Sequence, residues 1–128
     1  MNTSVMKKIF IMSIFATLCA LFGCTAKSFV SVNADEFSRE ISKPGVQLVD
    51  VRTAEEYAAG HIPNAVNVDV LSPEFSKKIA KLDKTQPVAL YCRSGRRSKS
   101  AAEQTAKLGF QVIELDGGIL SWHGDIER

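Results

Sequence analysis

The chain has 128 residues, 45% hydrophobic and 23% charged, with eight glycines, four prolines and three cysteines. That balance leaves no low-complexity segment and no interdomain linker, and it fits one domain with a modest core. The formal charge of +2 makes no bulk electrostatic case for a nucleic-acid surface.

In chain order, a short basic region, Lys7 and Lys8, precedes an apolar run from Ile9 to Gly23 interrupted only by Ser13, Thr17 and Cys19. Fifteen helical residues reach roughly 22 Å, short of the ~30 Å hydrocarbon core, so the run reads as an export signal and not a permanent span. It ends in Leu21-Phe-Gly-Cys24, which resembles a bacterial lipobox. Residues 1–23 are then a lipoprotein-type signal peptide, Cys24 the lipidated first residue, and 24–28 a short tether to a domain over 29–128. The expected location is a bacterial membrane, on the periplasmic or extracellular side; a soluble exported protein cut after Ala26 is the alternative. Lys7 and Lys8 leave with the signal, so 14 basic residues remain against 14 acidic ones and the mature charge is zero. Cys92 becomes the lone free thiol, which excludes a structural disulfide within the chain. The tether reaches at most about 18 Å, so the domain should ride close to the membrane, with a partner protein bound or presented there.

Strands are predicted near Phe29–Val32, Val46–Val51, Ala65–Val68, Val88–Tyr91 and Val112–Leu115. Between them, Asn33 can cap a helix carrying Ala34, Phe37 and Ile41 on one face, and Thr53 a short one with Ala54, Tyr57 and Ala58. Ser72, with Pro73 at the first helical position, opens a helix whose Phe75, Ile79 and Leu82 fall at i, i+4 and i+7. Ser98 to Leu108 reads as the last long helix. The alternation implies an α/β domain with a mainly parallel sheet.

The most informative segment is Val88-Ala-Leu-Tyr-Cys-Arg-Ser-Gly-Arg-Arg-Ser98. An apolar run fit for a central strand ends in Cys92, which faces a helix N-terminus across a glycine-bearing turn. Backbone N–H groups and the helix dipole favour anions there. An ordinary cysteine is only about 3% thiolate at pH 7, whereas lowering its pKa by roughly two units makes most of it nucleophilic. Arg93, Arg96 and Arg97 push in that direction, and their planar forks match tetrahedral oxyanions. Gly95 permits a left-handed turn with the backbone close to a ligand, and Ser94 lies in the same loop. A free cysteine alone is more often a small buried hydrophobe, and three arginines alone more often a solvated face. The order of strand, Cys, Gly and three Arg favours a site.

Here the chain resembles the single-domain members of the rhodanese family of sulfurtransferases, whose loop often reads Cys-Arg-x-Gly-x-Arg. The resemblance continues in Leu48-Val-Asp-Val-Arg52, Glu55-Glu-Tyr57, Gly60-His-Ile-Pro-Asn-Ala-Val-Asn67 and Asp116-Gly-Gly118 with Trp122, from about Val30 to Ile126. Asn64 stands where glycine is common, a departure that a turn tolerates because Asn enters the left-handed region. The resemblance implies a rhodanese-like, five-stranded sheet with helices on both faces, and no cofactor. It implies that Cys92 takes sulfur from a small anion such as thiosulfate and passes it, as a persulfide, to a thiophilic acceptor such as a thiol or cyanide. Phosphatases that share this fold use Cys, five residues, then Arg; that place is Ser98 here, and the arginine comes one position early at Arg97. A redox-sensing or docking module on the same fold is the rival reading, and phosphate-ester or arsenate chemistry a third.

Asp50 and Arg52 end another apolar strand, so they could reach the edge where Cys92 lies; the competing reading is that Asp50 braces the next loop with Arg52 as its ion-pair partner. His61 looks like a catalytic base in isolation, but in the resembling motif it is a packing and turn residue. Trp122 and the Asp116-Gly-Gly118 turn are expected to close a C-terminal helix onto the sheet. No His/Cys/Asp cluster has metal spacing, and no glycine-rich run has P-loop order.

Overall fold

The computed structural model describes residues 28–128; the readings of 1–23 as a signal, of 24–28 as a tether, apart from Ser28, and of Cys24 as a lipidation site lie outside the described residues. Five strands, β1 (Val30–Val32), β2 (Gln47–Asp50), β3 (Val66–Asn67), β4 (Val88–Tyr91) and β5 (Val112–Leu115), form one sheet in the order β1-β5-β4-β2-β3. Every pairing is parallel. β4 and β5 match the expected bounds; the other strands are shorter than their apolar runs.

Four helices alternate with the strands: α1 (Ala34–Ile41), α2 (Ala54–Ala59), α3 (Phe75–Ile79) and α4 (Arg96–Lys107). Asn33 caps α1, its side chain accepting from the Glu36 N–H. Thr53 caps α2 in a full capping box with Glu56, which satisfies donors at both ends of the first turn. The third helix differs from expectation. Ser72 and Pro73 form a turn, in which the Ser72 hydroxyl accepts from the Glu74 N–H and its carbonyl from the Phe75 N–H, so α3 starts at Phe75 and stops before Leu82. The Ser72 side chain bonds locally and leaves the helical path two residues later than the proline suggested. α4 begins at Arg96, two residues before Ser98, because Gly95 supplies its left-handed N-cap at φ 98°. The expected C-terminal helix is one 3₁₀ turn, Gly118–Ser121, and Asn64 takes the left-handed conformation at φ 72°.

Both faces of the sheet are covered. On one, Phe75, Ile79, Ala101 and Ala102 of α3 and α4 pack on Val49, Val88, Leu90, Cys92 and Val112. On the other, Phe37 of α1 and Tyr57 of α2 pack on Leu48, Ala89, Tyr91 and Leu115, and Trp122 meets Phe37 edge to face at 6.3 Å. After β2 the chain moves outward to β3, and after β4 the other way to β5. The connections therefore diverge between β2 and β4, and a crevice at their carboxyl ends is where ligands bind in open parallel sheets. Asp50 and Tyr91 are level there, one residue before Cys92.

Candidate active site

Cys92 leaves β4 at that divergence, 1% exposed. The Gly95 N–H donates to Sγ at 3.1 Å, and the thiol lies 3.4 Å from the Ser98 hydroxyl. Burial works against the thiolate, but hydrogen bonding at the Ser98 side chain and from the backbone N–H groups of Ser98, Gly95 and Ser94 outweighs it, so the thiol titrates below its ordinary value.

The turn over residues 93–95 is held from outside. The N–H groups of Ile119 and Leu120, in the 3₁₀ turn, donate to the carbonyls of Cys92 and Arg93 at 2.9 and 3.1 Å. Gly118, at φ 63°, makes the approach possible: a Cβ there would sit 2.3 Å from the Arg93 carbonyl oxygen. The Asp116-Gly-Gly118 turn is thus a clamp on the cysteine loop, a closer role than packing a helix.

The three arginines divide. Arg93 and Arg96 are exposed, as is Ser94. Arg97 makes two hydrogen bonds to the Glu56 carboxylate, at 2.7 and 2.9 Å. That guanidinium, helped by Thr53, holds Glu56 down at about 2 against the effect of burial. Glu56 therefore does two jobs, capping α2 and anchoring the end of the cysteine loop. Arg97 acts on Cys92 through its charge, while the nearest groups favouring the thiolate are hydrogen-bond donors.

Asp50 and Arg52 form a closed unit. Arg52 Nε lies 3.0 Å from Asp50 Oδ1 and its Nη2 donates to Oδ2 at 2.6 Å and to the Gly60 carbonyl at 2.6 Å, while the Arg52 N–H donates to Asp50 Oδ1 at 2.9 Å. Both side chains are buried, and burial opposes the Arg52 charge less than the Asp50 carboxylate favours it. Neither is hydrogen-bonded to the Cys92 loop. His61 is also away from it, stacked on Tyr57 at 3.8 Å with Nδ1 2.9 Å from the Tyr57 carbonyl.

Two groups touching the site were not singled out from sequence: Ser98 as a partner of Cys92, and Glu114. The Ser98 hydroxyl donates to Glu114 Oε2 at 2.5 Å, and the Ser31 hydroxyl to Oε1 at 2.5 Å. The available signal was one acid in Val112-Ile-Glu-Leu115, an interior strand otherwise apolar on both faces.

Fold and site together define a class: a parallel α/β domain with a buried, hydrogen-bonded cysteine in an arginine-bearing loop at the strand ends. Residues 33–125 match the family described as Rhodanese-like domain, and the chain belongs to that family. It is 36% identical over 90 residues to a thiosulfate sulfurtransferase GlpE of Pseudomonas paraeruginosa, covering 70% of this chain and 80% of the relative. The GlpE of Pseudomonas savastanoi is 35% identical over 88 residues, covering 68% and 81%. Among solved structures, a rhodanese-related protein from Thermoplasma volcanium superimposes with TM-score 0.69 at 28% identity, covering 77% of this chain and 98% of that one. Other relatives are longer, and the chain spans 55%, 33% and 41% of the length of three of them.

Proposed function

We propose that the protein is a sulfurtransferase that carries sulfane sulfur on Cys92, from a donor such as thiosulfate to a thiophilic acceptor such as a thiol or cyanide. The observation that carries this reading is a buried sulfur accepting the Gly95 N–H at 3.1 Å inside a loop that closes on Arg97, one residue shorter than the phosphatase loop. The Cys92 thiolate attacks the outer sulfur of thiosulfate; a carbon-bound S–S bond forms, the S–S bond of the donor breaks, and sulfite leaves with its electron pair. The acceptor then attacks the outer persulfide sulfur, and Cys92 leaves as the thiolate. The loop N–H groups hold charge on the sulfur throughout without reorganising. Arg93 and Arg96 meet the anion at the mouth, and Arg97 fixes the loop end. Asp50 and Arg52 act from behind by bracing the neighbouring strand end.

Intact-mass measurement of the full chain after thiosulfate treatment tests the proposal. The expected result is a gain of one sulfur atom, lost on adding cyanide and absent in Cys92→Ser. Unmodified wild type, or equal loading of Cys92→Ser, overturns it and favours a binding or redox-sensing module.

The proposal includes a lipid anchor at Cys24, supported by Lys7, Lys8, the apolar run Ile9 to Gly23 and the cysteine that ends it. Fatty-acid labelling in bacteria should mark the wild type and not Cys24→Ser; an unlabelled wild type overturns the anchor.

A further inference from the structure

Glu114 is a carboxyl with 0% exposure in an interior strand, and its surroundings give each oxygen a different task. It lies level with Leu90 of β4 and Ser31 of β1. Oε1 takes the Ser31 hydroxyl at 2.5 Å and has the Lys99 ammonium at 3.4 Å; among the described residues, Oε2 takes only the Ser98 hydroxyl, at 2.5 Å. Beyond Ser98, at 3.4 Å, is Cys92 Sγ.

The Ser98 hydroxyl has one proton. While Glu114 is ionised, that proton goes to the carboxylate, since a charge-assisted bond of this length outweighs a longer contact to sulfur. Ser98 then offers Cys92 only a lone pair, which suits the thiol S–H and not the thiolate. When Glu114 carries a proton, Oε2–H donates to Ser98, and the hydroxyl is free to donate to the thiolate. One proton can also pass along the row: from Sγ to Ser98 Oγ, and from Oγ to Glu114 Oε2, with every hydrogen bond remade in the opposite sense.

We propose that Glu114 is a positioning residue that sets the direction of the Ser98 hydroxyl, and through it couples the charge of Cys92 to its own. The thiolate and the carboxylate compete for the one Ser98 donor. The charged groups facing the pair are few. Lys99 of α4, itself bonded to Asp116, lies on the Oε1 side; Arg97, paired with Glu56, acts on Cys92; β1 contributes the neutral Ser31. The proposal rests on Cys92 being the reactive thiol of the proposed function, but not on sulfur transfer.

The arrangement makes an unusual prediction for Glu114→Gln. Ser31 and Lys99 are both donors at the Oε1 position, so the amide oxygen must sit there and the NH₂ must face Ser98. Glutamine thus imitates the protonated carboxyl and turns the hydroxyl toward the sulfur for good. The test is the pH profile of Cys92 alkylation by iodoacetamide in the full chain, read on the tryptic peptide Thr85–Arg93. Glu114→Gln should react about tenfold faster below the wild-type midpoint, the worth of one hydrogen bond to a thiolate, and most of that gain should vanish in a Ser98→Ala background. Ser31→Ala, at an exposed position on an edge strand, removes one donor that favours the ionised carboxylate. It should move the profile in the same direction by a smaller factor, and it decides the matter where Glu114→Gln does not fold. An unchanged or slower profile in both variants, or an undiminished gain without Ser98, overturns the proposal. Failure of sulfur loading with this profile intact would overturn the proposed function alone.

Discussion

Two neighbouring strands, β2 and β4, end at the same height and are each followed by a polar loop and a helix, yet the two loops use their charges in opposite ways. After β2, Arg52 turns back onto Asp50 and the Gly60 carbonyl, and the loop closes on itself. After β4, the donors of the loop converge on Sγ while Arg93 and Arg96 face outward. A buried carboxylate and guanidinium satisfy one another and leave little for a ligand. A buried sulfur ringed by N–H groups leaves charge to be used. Position at the strand ends is therefore shared by both loops, and the direction of the hydrogen bonds separates brace from site.

Substitutions can sharpen this contrast. Cys92→Ser should abolish sulfur loading while leaving the urea midpoint nearly unchanged, since the volume and the burial are almost conserved. Asp50→Ala should do the reverse, costing about 3–5 kcal/mol by leaving the Arg52 guanidinium buried and unpaired, measured by urea unfolding, with loading retained in the folded fraction. An Asp50→Ala protein that is stable but inactive would move Asp50 into the chemistry. Gly118→Ala forces a side chain into the left-handed region and against the Arg93 carbonyl; a loss of about 2 kcal/mol is expected, together with slower loading as the clamp lifts. The smallest effect belongs to Glu56→Gln, at about 1 kcal/mol for a partly exposed pair. Its size depends on pH. The folded-state pKa of Glu56 is depressed to about 2 from its ordinary 4.5, so its contribution is present above the higher value and is lost as pH falls toward the lower. Unfolding midpoints of wild type and Glu56→Gln should differ at pH 6 and converge near pH 2; a constant difference would show that the ion pair is not its source.

Much of the molecule was legible before folding was considered. The capping residues Asn33 and Thr53, the strand Val88–Tyr91 and the left-handed turns at Asn64 and Gly95 are local matters, decided by φ/ψ preferences and bonds a few residues long. The start of α3 was local too, but a serine hydroxyl bonding its own turn competed with the proline at that place. The Asp50 and Arg52 pair was readable as a brace because both partners lie within two residues.

What the sequence by itself determined is the Cys92 loop, its length to Arg97 and its place at the end of an apolar strand. Tertiary structure alone decided which groups meet that loop: Glu56 on Arg97, 41 residues away in sequence, Glu114 on Ser98, 16 away, and the 3₁₀ turn on the carbonyls of Cys92 and Arg93. The physical reason is that the thiol and its backbone donors sit on one continuous segment, whereas their partners come from strand order and register. Parallel pairing sets β5 beside β4 and so carries a buried acid to the row behind the thiol.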